Sequence, residues 1–568
     1  MSSRSSIYRR MQRQIDNLVR MEGDATYCER PTDEIEAADV YMHEEVRLVN
    51  QSLIHDENND LFSNESFEND EEIISNVLQQ ADVNMDLNES DDNDDTETRD
   101  TFVDIANKLA SWSVTHHISN FAMNDLIGWL KQNYFPELPR KIETLKRAAY
   151  LHNYEIKKMG EGKYVHFGLK NMLEIYMHLN NIQPNNSESF VMYFGIDGVP
   201  ITKSSRSEFW PILLKLKGFQ LILPVGVYHG YGKPRDVHQY LEMFVSDLHD
   251  VLQNGIPGKT GLSTVSIGTF VMDAQAKAFI MDIKAPTGTY GCPKCKVRGK
   301  KIGPRVVFLN LHAPLRTDED FLEITDPHHH SSRLSPLATV AKCISNVSID
   351  YMHNVLLGVF KYILLFWVDT KNKPYSLSDR QKHEINRRIS LIKTQLPYEF
   401  SRRPRPLEEI KKYKATEFRL LLLYTGPLLF MQVVEHRFYV HFLLLHAAIR
   451  ILCHPTDCIN KNALATDYLN RFVEDYKMLY GTGYVVYNIH LLSHLAQECL
   501  IYREPLDNFS AFPFEEYLHK ITKMTKKAPY PLEQLKNRLM EHIHFNENLM
   551  GKKILLQKNY REKICTKK

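Results

Sequence analysis

Residues 189–200, SFVMYFGIDGVP, and residues 265–279, VSIGTFVMDAQAKAF, decide the fold class. Each is a short apolar run rich in β-branched and aromatic residues that ends at an aspartate, the pattern of a buried strand closed by a turn. A further run of this kind, LILPVGVYHG, lies between them at 221–230. It is followed by RDVHQYLEMFVSDLHDVLQ (235–253), in which Val237, Leu241, Phe244, Val245, Leu248 and Leu252 recur at helical spacing on one face. Strands, an amphipathic helix and another strand ending in Asp predict a mixed α/β layer with helices packed on a sheet.

Outward from this segment the texture changes on both sides. Downstream, roughly 300–485, helical signals dominate, as in TVAKCISNVSIDYMHNVLLGVFKYILLFWV (339–368) and YVHFLLLHAAIRIL (439–452). Upstream, from Phe102 to about Met177, apolar residues at three- and four-residue spacing predict a small helical domain, over about 101–185, for DNA binding or dimerisation. Residues 1–100 are low in aromatics and end in NESDDNDDTETRD. Such a segment buries too little apolar surface to offset its ordering entropy, and disorder is expected.

The formal net charge of zero conceals an asymmetry. Residues 21–100 carry 26 Asp/Glu against 3 Lys/Arg, whereas residues 101–568 carry 43 acidic and 62 basic residues. A basic excess of that size suits a polyanionic partner, although a solvated basic surface shows the same composition. The start, MSSRSSIYRRMQRQ, is polar and basic, so no signal peptide is expected. No window is expected to reach the ~18 to 20 apolar residues of a membrane span. The two most apolar runs, YILLFWV and FRLLLLYTGPLLF, read as buried helix, the second interrupted by Gly426-Pro427. A reducing compartment follows, where a close cysteine pair more often binds metal than forms a disulfide.

Several residues could carry chemistry. Asp197 and Asp273 stand at predicted strand ends, where two carboxylates can share a pair of divalent cations, though Asp before Gly or Ala is also an ordinary turn former. Cys292 and Cys295 in GCPKC have the two-residue gap that lets two thiolates share one Zn²⁺. In NIHLLSHL, His490 and His494 are spaced one helical turn apart and can close a tetrahedral site; a buried structural histidine pair is the alternative. HLLSH lacks the glutamate of a zinc-protease helix. CHPTDC (453–458) and the triplet His328–His330 read as loops. Asp350 could cap a helix, although with His353 it also invites a metal or catalytic role. Phosphate-binding glycine loops, GxSxG and kinase signatures are absent from the sequence.

Taken in order, DGVPITKSSRSEFWPI, VMDAQAKAF with GCPKC, IDYMHNVLLGV, YNIHLLSHL and SAFPFEEYL resemble the CACTA-type (En/Spm-like) DDE transposases and the animal transposase-domain proteins. More distantly, the chain is similar to Transib transposases and to the catalytic subunit of the antigen-receptor recombinase. The similarity runs from about Ser189 to about Glu541. It implies an RNase H-like α/β core whose first part spans about 186–300, interrupted by a helical insertion over about 301–485 and closed by 486–568. In that family the two aspartates follow the first and fourth strands, matching Asp197 and Asp273. The Cys pair lies about 19 residues past the second Asp, as Cys292 does here, and joins two histidines in a zinc site. The catalytic glutamate follows some 20 residues after the last histidine, which points to Glu515, with Glu516 next to it. Plant members carry an acidic residue just after Met-His, where Asn354 and Val355 stand here. The resemblance further implies structural Zn²⁺ on Cys292, Cys295, His490 and His494. It also implies Mg²⁺ or Mn²⁺ on Asp197, Asp273 and Glu515, DNA (transposon ends and target) as partner, a homo-oligomer, a nuclear location and no membrane. A domesticated, non-cleaving DNA-binding protein that keeps the fold is the alternative.

Overall fold

The computed structural model describes residues 95–146, 154–180, 182, 189–202, 206–257, 262–397, 400–525 and 529–545. The disorder expected over 1–100 falls outside them as far as residue 94. From Asp95 the acidic stretch is instead the start of helix Asp95–Thr115. Extending a helix costs far less than nucleating one, so turns formed by the periodic residues from Phe102 onward extend upstream.

The described residues divide into two compact units, one within 154–536 and the other holding 95–146 with 537–545. In the smaller unit, helices Asn120–Asn133 and Ile142–Leu145 bury Met123, Ile127 and Ile142 around Leu138. Ala110 and Val114 pack with Phe545. Ser119 caps the helix Asn120–Asn133 by accepting from the Ala122 amide.

The larger unit is built on a mixed sheet. Its strands are β1 (Ile156–Met159), β2 (Gly162–His166), β3 (Ser189–Ile196), β4 (Val199–Pro200), β5 (Glu208–Leu216), β6 (Ile222–Gly230), β7 (Ile256–Pro257) and β8 (Leu262–Val271). Their spatial order is β1-β2-β6-β5-β3-β8-β7, with β4 on β5. The pairs β3–β5, β5–β6, β2–β6 and β1–β2 are antiparallel, while β3 and β8 are parallel. The parallel pair is joined through β5, β6 and helix Val237–Asn254, which Asp236 caps and Gly255 (φ +66°) ends. Phe194 on β3 stacks on Phe270 of β8 at 5.0 Å, and Phe244 of that helix meets Phe194 edge-on at 5.1 Å. Aromatic contacts of this kind contribute about 0.5–1.5 kcal/mol each beyond their buried area.

Residues 346–348 extend the sheet alongside β8. The Phe270 amide donates to Asn346 O (2.7 Å), and the Ser348 amide donates to Phe270 O (3.2 Å), in a parallel sense. The helices of the larger unit include His436–Leu452, Asn462–Tyr480 and Tyr487–Tyr502, packed in that sequence. The first of these is apolar on nearly all sides and buried, as such a helix must be in a core.

Three features depart from the sequence expectations. The helical pattern expected to run to about Met177 gives way to the β1–β2 hairpin, turned at Gly160 (φ +57°), which together with helix Leu169–Leu179 belongs to the sheet unit. Alternation over five residues is too short to outweigh the helical texture around it, and only pairing of β2 with β6 fixes it as strand. Within 301–485, Arg305–Val307 pairs with Lys300–Ile302 as a two-stranded ribbon. Finally, Met352–Asp369 is long and apolar enough to cross a membrane by length and composition, and 61% of it is buried in the protein. His353, Asn354, Lys361 and Asp369 interrupt its apolar run, so only the average over the window passes, and a π-helical stretch (Met352–Phe360) and an α-helix (Lys361–Asp369) join end to end to give it its length.

Candidate functional site

Two clusters of ligating side chains are present among the described residues. The first joins Cys292 and Cys295 to His490 and His494, all buried. The two sulfurs lie 3.5 Å apart, the two Nε2 atoms 3.2 Å apart, Cys295 Sγ 3.3 Å from His490 Nε2 and Cys292 Sγ 3.7 Å from His494 Nε2. With bonds of about 2.3 Å to sulfur and about 2.0–2.1 Å to nitrogen, a tetrahedral Zn²⁺ needs edges of about 3.3–3.8 Å, so these four atoms fit one ion. The histidines meet because Tyr487–Tyr502 is a regular helix and places residues four apart on one face. The knuckle is fixed from behind: Arg316 Nε donates to Cys292 O (3.2 Å), and the Arg316 amide to Lys294 O (2.9 Å). Burial raises the Cys292 thiol, but the neighbouring sulfur and imidazoles outweigh it and hold the thiol well below its ordinary range. Cys295 is driven upward, first by its sulfur neighbour and then by burial. A second thiolate in so small a space calls for a cation.

The second cluster lies at the carboxyl ends of the parallel strands β3 and β8. Asp197 follows β3 directly, and Asp273 follows β8 by one residue. Glu515 comes from the first turn of helix Phe512–Met524, and His353 from the helix that begins at Met352. One ligand atom each from Asp197, His353 and Glu515 lies within 4.8 Å of the others. Asp273 lines the same cleft, but its carboxylate caps the following helix, accepting from the Ala276 amide at 2.6 Å. Glu516, the neighbour in register, is exposed and paired with Lys520.

Local sequence explains the convergence. Asp197 shares a sheet face with Gly195, two residues earlier. Gly195 has no side chain, and the Phe514 ring fills the space: a Cβ built there would meet it at 2.4 Å. Helix Phe512–Met524 therefore sits directly on β3, next to Asp197. His353 is oriented by Asp350, whose buried carboxylate accepts its Nδ1 at 2.7 Å, while Nε2 lies 3.5 Å from Glu515. Asp350 also accepts the His353 amide (3.0 Å) and the Ala511 amide (2.8 Å), tying both contributing segments together. The sequence left Asp350 open between cap and site residue, and it serves both ends.

The electrostatics are those of crowded anions. Burial, then the charges of Asp273 and Glu515, push Asp197 well above the carboxylate range, with His353 opposing. Burial would neutralise His353, yet hydrogen bonds and charge from Asp350 and Glu515 hold it well above its ordinary range. Carboxylates gathered this way are stabilised by a divalent cation, which Asp197 and Glu515 could hold with the His353 imidazole beside them.

Other expected features resolve differently. His329 and His330 are buried rather than in an exposed loop; His329 Nδ1 bonds Tyr290 O, and burial lowers that imidazole to about 4. Cys453, His454 and Cys458 do not converge on a ligand group among the described residues. Part of the basic excess is engaged internally: Lys294 is buried, Lys296 pairs with Asp320 and Arg405 with Glu417. His353 and Asp350, which sequence spacing left unassigned, are the residues the structure adds. Compared with known proteins, the chain matches no family model and no curated protein.

Proposed function

We propose that this chain is a divalent-metal-dependent polynucleotidyl transferase with an RNase H-like core. Within that class we propose a DDE transposase of the CACTA type, or a host protein derived from one. The carrying observation is that Asp197, Glu515 and His353 meet within 4.8 Å, with Asp273 in the same cleft, at the ends of neighbouring parallel strands. The sheet order supports the fold reading. From β6 through β5 and β3 to β8 it runs third, second, first, fourth strand, and 346–348 stands where a fifth strand would. The mainly helical chain from that segment to about residue 485 is then the insertion.

Asp197, Asp273 and Glu515 would hold Mg²⁺ or Mn²⁺. When bound, such a pair activates water or a 3′-hydroxyl and neutralises the leaving oxygen of a phosphodiester. Asp350 fixes the His353 ring so that Nε2 carries its proton toward Glu515 and the cleft, where it can be passed to a departing oxyanion. Cys292, Cys295, His490 and His494 would hold a structural Zn²⁺ that ties the segment after Asp273 to the one before Glu515. DNA as substrate, a nuclear location and an oligomer belong to the same proposal.

A nicking assay on supercoiled DNA with Mg²⁺ or Mn²⁺ tests it. Asp197→Asn and Glu515→Gln should each abolish activity while leaving the unfolding temperature within a few degrees. Full activity in both variants overturns the proposal. Salt-dependent DNA binding without cleavage by the unmodified chain identifies the non-cleaving derivative instead.

A further inference from the structure

Lys294 sits between the two cysteines of the knuckle, where a basic residue would ordinarily face solvent. It points inward instead, and its side chain is only 7% exposed. Its ammonium has three hydrogens and meets three acceptors: Ile344 O and Val347 O at 2.8 Å each, and Glu498 Oε1 at 2.8 Å. Glu498 lies one turn beyond His494 on the same helix, is 1% exposed, and takes the Ile349 amide on its other oxygen at 2.8 Å. From the opposite side Lys277, one turn past Asp273, donates to Ser348 O at 2.6 Å. Every strong bond of this buried pair thus goes to one short segment, 344–349. That segment runs straight into Asp350, which orients His353 and grips the Ala511 amide one helical turn before Glu515.

We infer that Lys294 and Glu498 are positioning residues through which the Cys292/Cys295/His490/His494 centre sets the geometry of the Asp197/His353/Glu515 cluster. This deepens the proposed function and rests on it, because the quantity positioned is the cation-binding carboxylate group. Lys294 leaves from between two ligands of the first centre and Glu498 from the helix carrying the other two. Any shift of that centre is passed directly to the backbone that places His353. A buried ion pair is poor evidence of net stability, since an apolar pair of the same size often serves as well. Its directional bonds to three backbone groups are what an apolar pair cannot reproduce.

The test uses the full chain with Lys294→Met, Glu498→Gln and the double variant Lys294→Met/Glu498→Met. Three readouts are needed: the visible spectrum of Co²⁺ in the cysteine–histidine centre, Mn²⁺ titration by electron paramagnetic resonance, and hydrogen exchange of the peptide covering 344–353. The single Lys294→Met strands a buried carboxylate and can lose stability for that reason alone; the apolar double variant removes this ambiguity. The expected result is a folded double variant that unfolds a few degrees lower, because Ile344 O, Val347 O and the Ile349 amide lose their buried partners, and that keeps a tetrahedral Co²⁺ spectrum while Mn²⁺ affinity falls by about 10–100-fold, the usual cost of losing outer support at a metal site. Exchange of 344–353 should rise, while the helix carrying His490 and His494 stays protected. Glu498→Gln, which keeps the shape and part of the bonding, should fall between. A stable double variant with wild-type Mn²⁺ affinity and unchanged exchange overturns the inference. Absence of any Asp197-dependent Mn²⁺ binding in the unmodified chain overturns the catalytic reading instead, and the exchange result still shows whether the pair anchors 344–349.

Discussion

Replacing Gly195 by alanine is the most direct perturbation of the carboxylate cleft that leaves every candidate ligand in place. The added Cβ would lie 2.4 Å from Phe514 Cδ1 and 2.5 Å from Cγ, where carbon atoms prefer about 3.5–4.0 Å, so about 1 Å of movement is required. The ring has little room to turn away, because Phe514 is buried together with Leu518 and Ile521 of the same helix face. Strand β3 is held between β5 and β8, which leaves helix Phe512–Met524 to yield. Overpacking of this sort costs about 1–3 kcal/mol, a shift of a few degrees in unfolding temperature. The functional effect should be larger, since Glu515 is the next residue and a misplacement of about 1 Å in a reacting constellation can cost about 100-fold in rate. Nicking activity and Mn²⁺ titration, read beside thermal unfolding, separate the two effects. Adding Phe514→Leu to Gly195→Ala removes the ring that blocks the new methyl and should restore part of both. If Gly195→Ala nicks DNA and binds Mn²⁺ like the unmodified protein, the packing of Phe514 on β3 does not determine where Glu515 stands.

Four further outcomes are expected. Cys292→Ser and His494→Ala should each lose stoichiometric zinc by elemental analysis and unfold at lower temperature, because structural zinc contributes on the order of 10 kcal/mol in small domains; retained zinc in both rules out the site. His353→Ala should reduce nicking by about 10²–10⁴-fold and lower the unfolding temperature as well, because it leaves the buried Asp350 carboxylate without its imidazole partner. Asp350→Ala, which leaves the amides of His353 and Ala511 without their buried acceptor, should lower both. Asp247 accepts from His166 Nε2 (2.8 Å) and the Leu169 amide (2.7 Å), and these bonds outweigh burial to hold it below the usual carboxylate range. Its contribution is therefore present above the unfolded value of about pH 4 and is lost as pH falls through the lower folded value. The stability gap between unmodified protein and Asp247→Asn, followed by thermal unfolding from neutral pH downward, should narrow below about pH 4, and a gap independent of pH would contradict this assignment.

What sequence could reveal was set by the range of the physical signal. Asp197 and Asp273 end apolar runs, Cys292 and Cys295 are three apart, and His490 and His494 share a helix face; each pattern is local and readable. Asp350 and His353, three apart, were also readable as neighbours on one turn. Nothing local says that they face Glu515, because the bond that brings them there joins Asp350 to Ala511, 161 residues on. Lys294 misleads for the same reason: its acceptors at 344, 347 and 498 are 50 to 204 residues away, and a basic run read in isolation looks solvated. The hairpin at 156–166 is a strand only because β6 lies beside it.

These long-range contacts share a purpose that follows from the charges they surround. Asp197 beside Asp273 and Glu515 is an arrangement that burial and repulsion oppose, and with no cation present it tends to take up a proton or move apart. It therefore has to be imposed by structure that does not depend on it. Phe514 seated on Gly195 holds the glutamate helix from one side. Asp350, gripping both His353 and the Ala511 amide, holds it from another, and the Lys294–Glu498 pair anchors the backbone before Asp350 to the cysteine–histidine centre. Residues that only had to fold would not need several restraints converging on one repulsive cluster. That redundancy is the strongest physical reason to treat the cleft as a working site, since strain of this kind persists where function requires it and is balanced elsewhere in the fold.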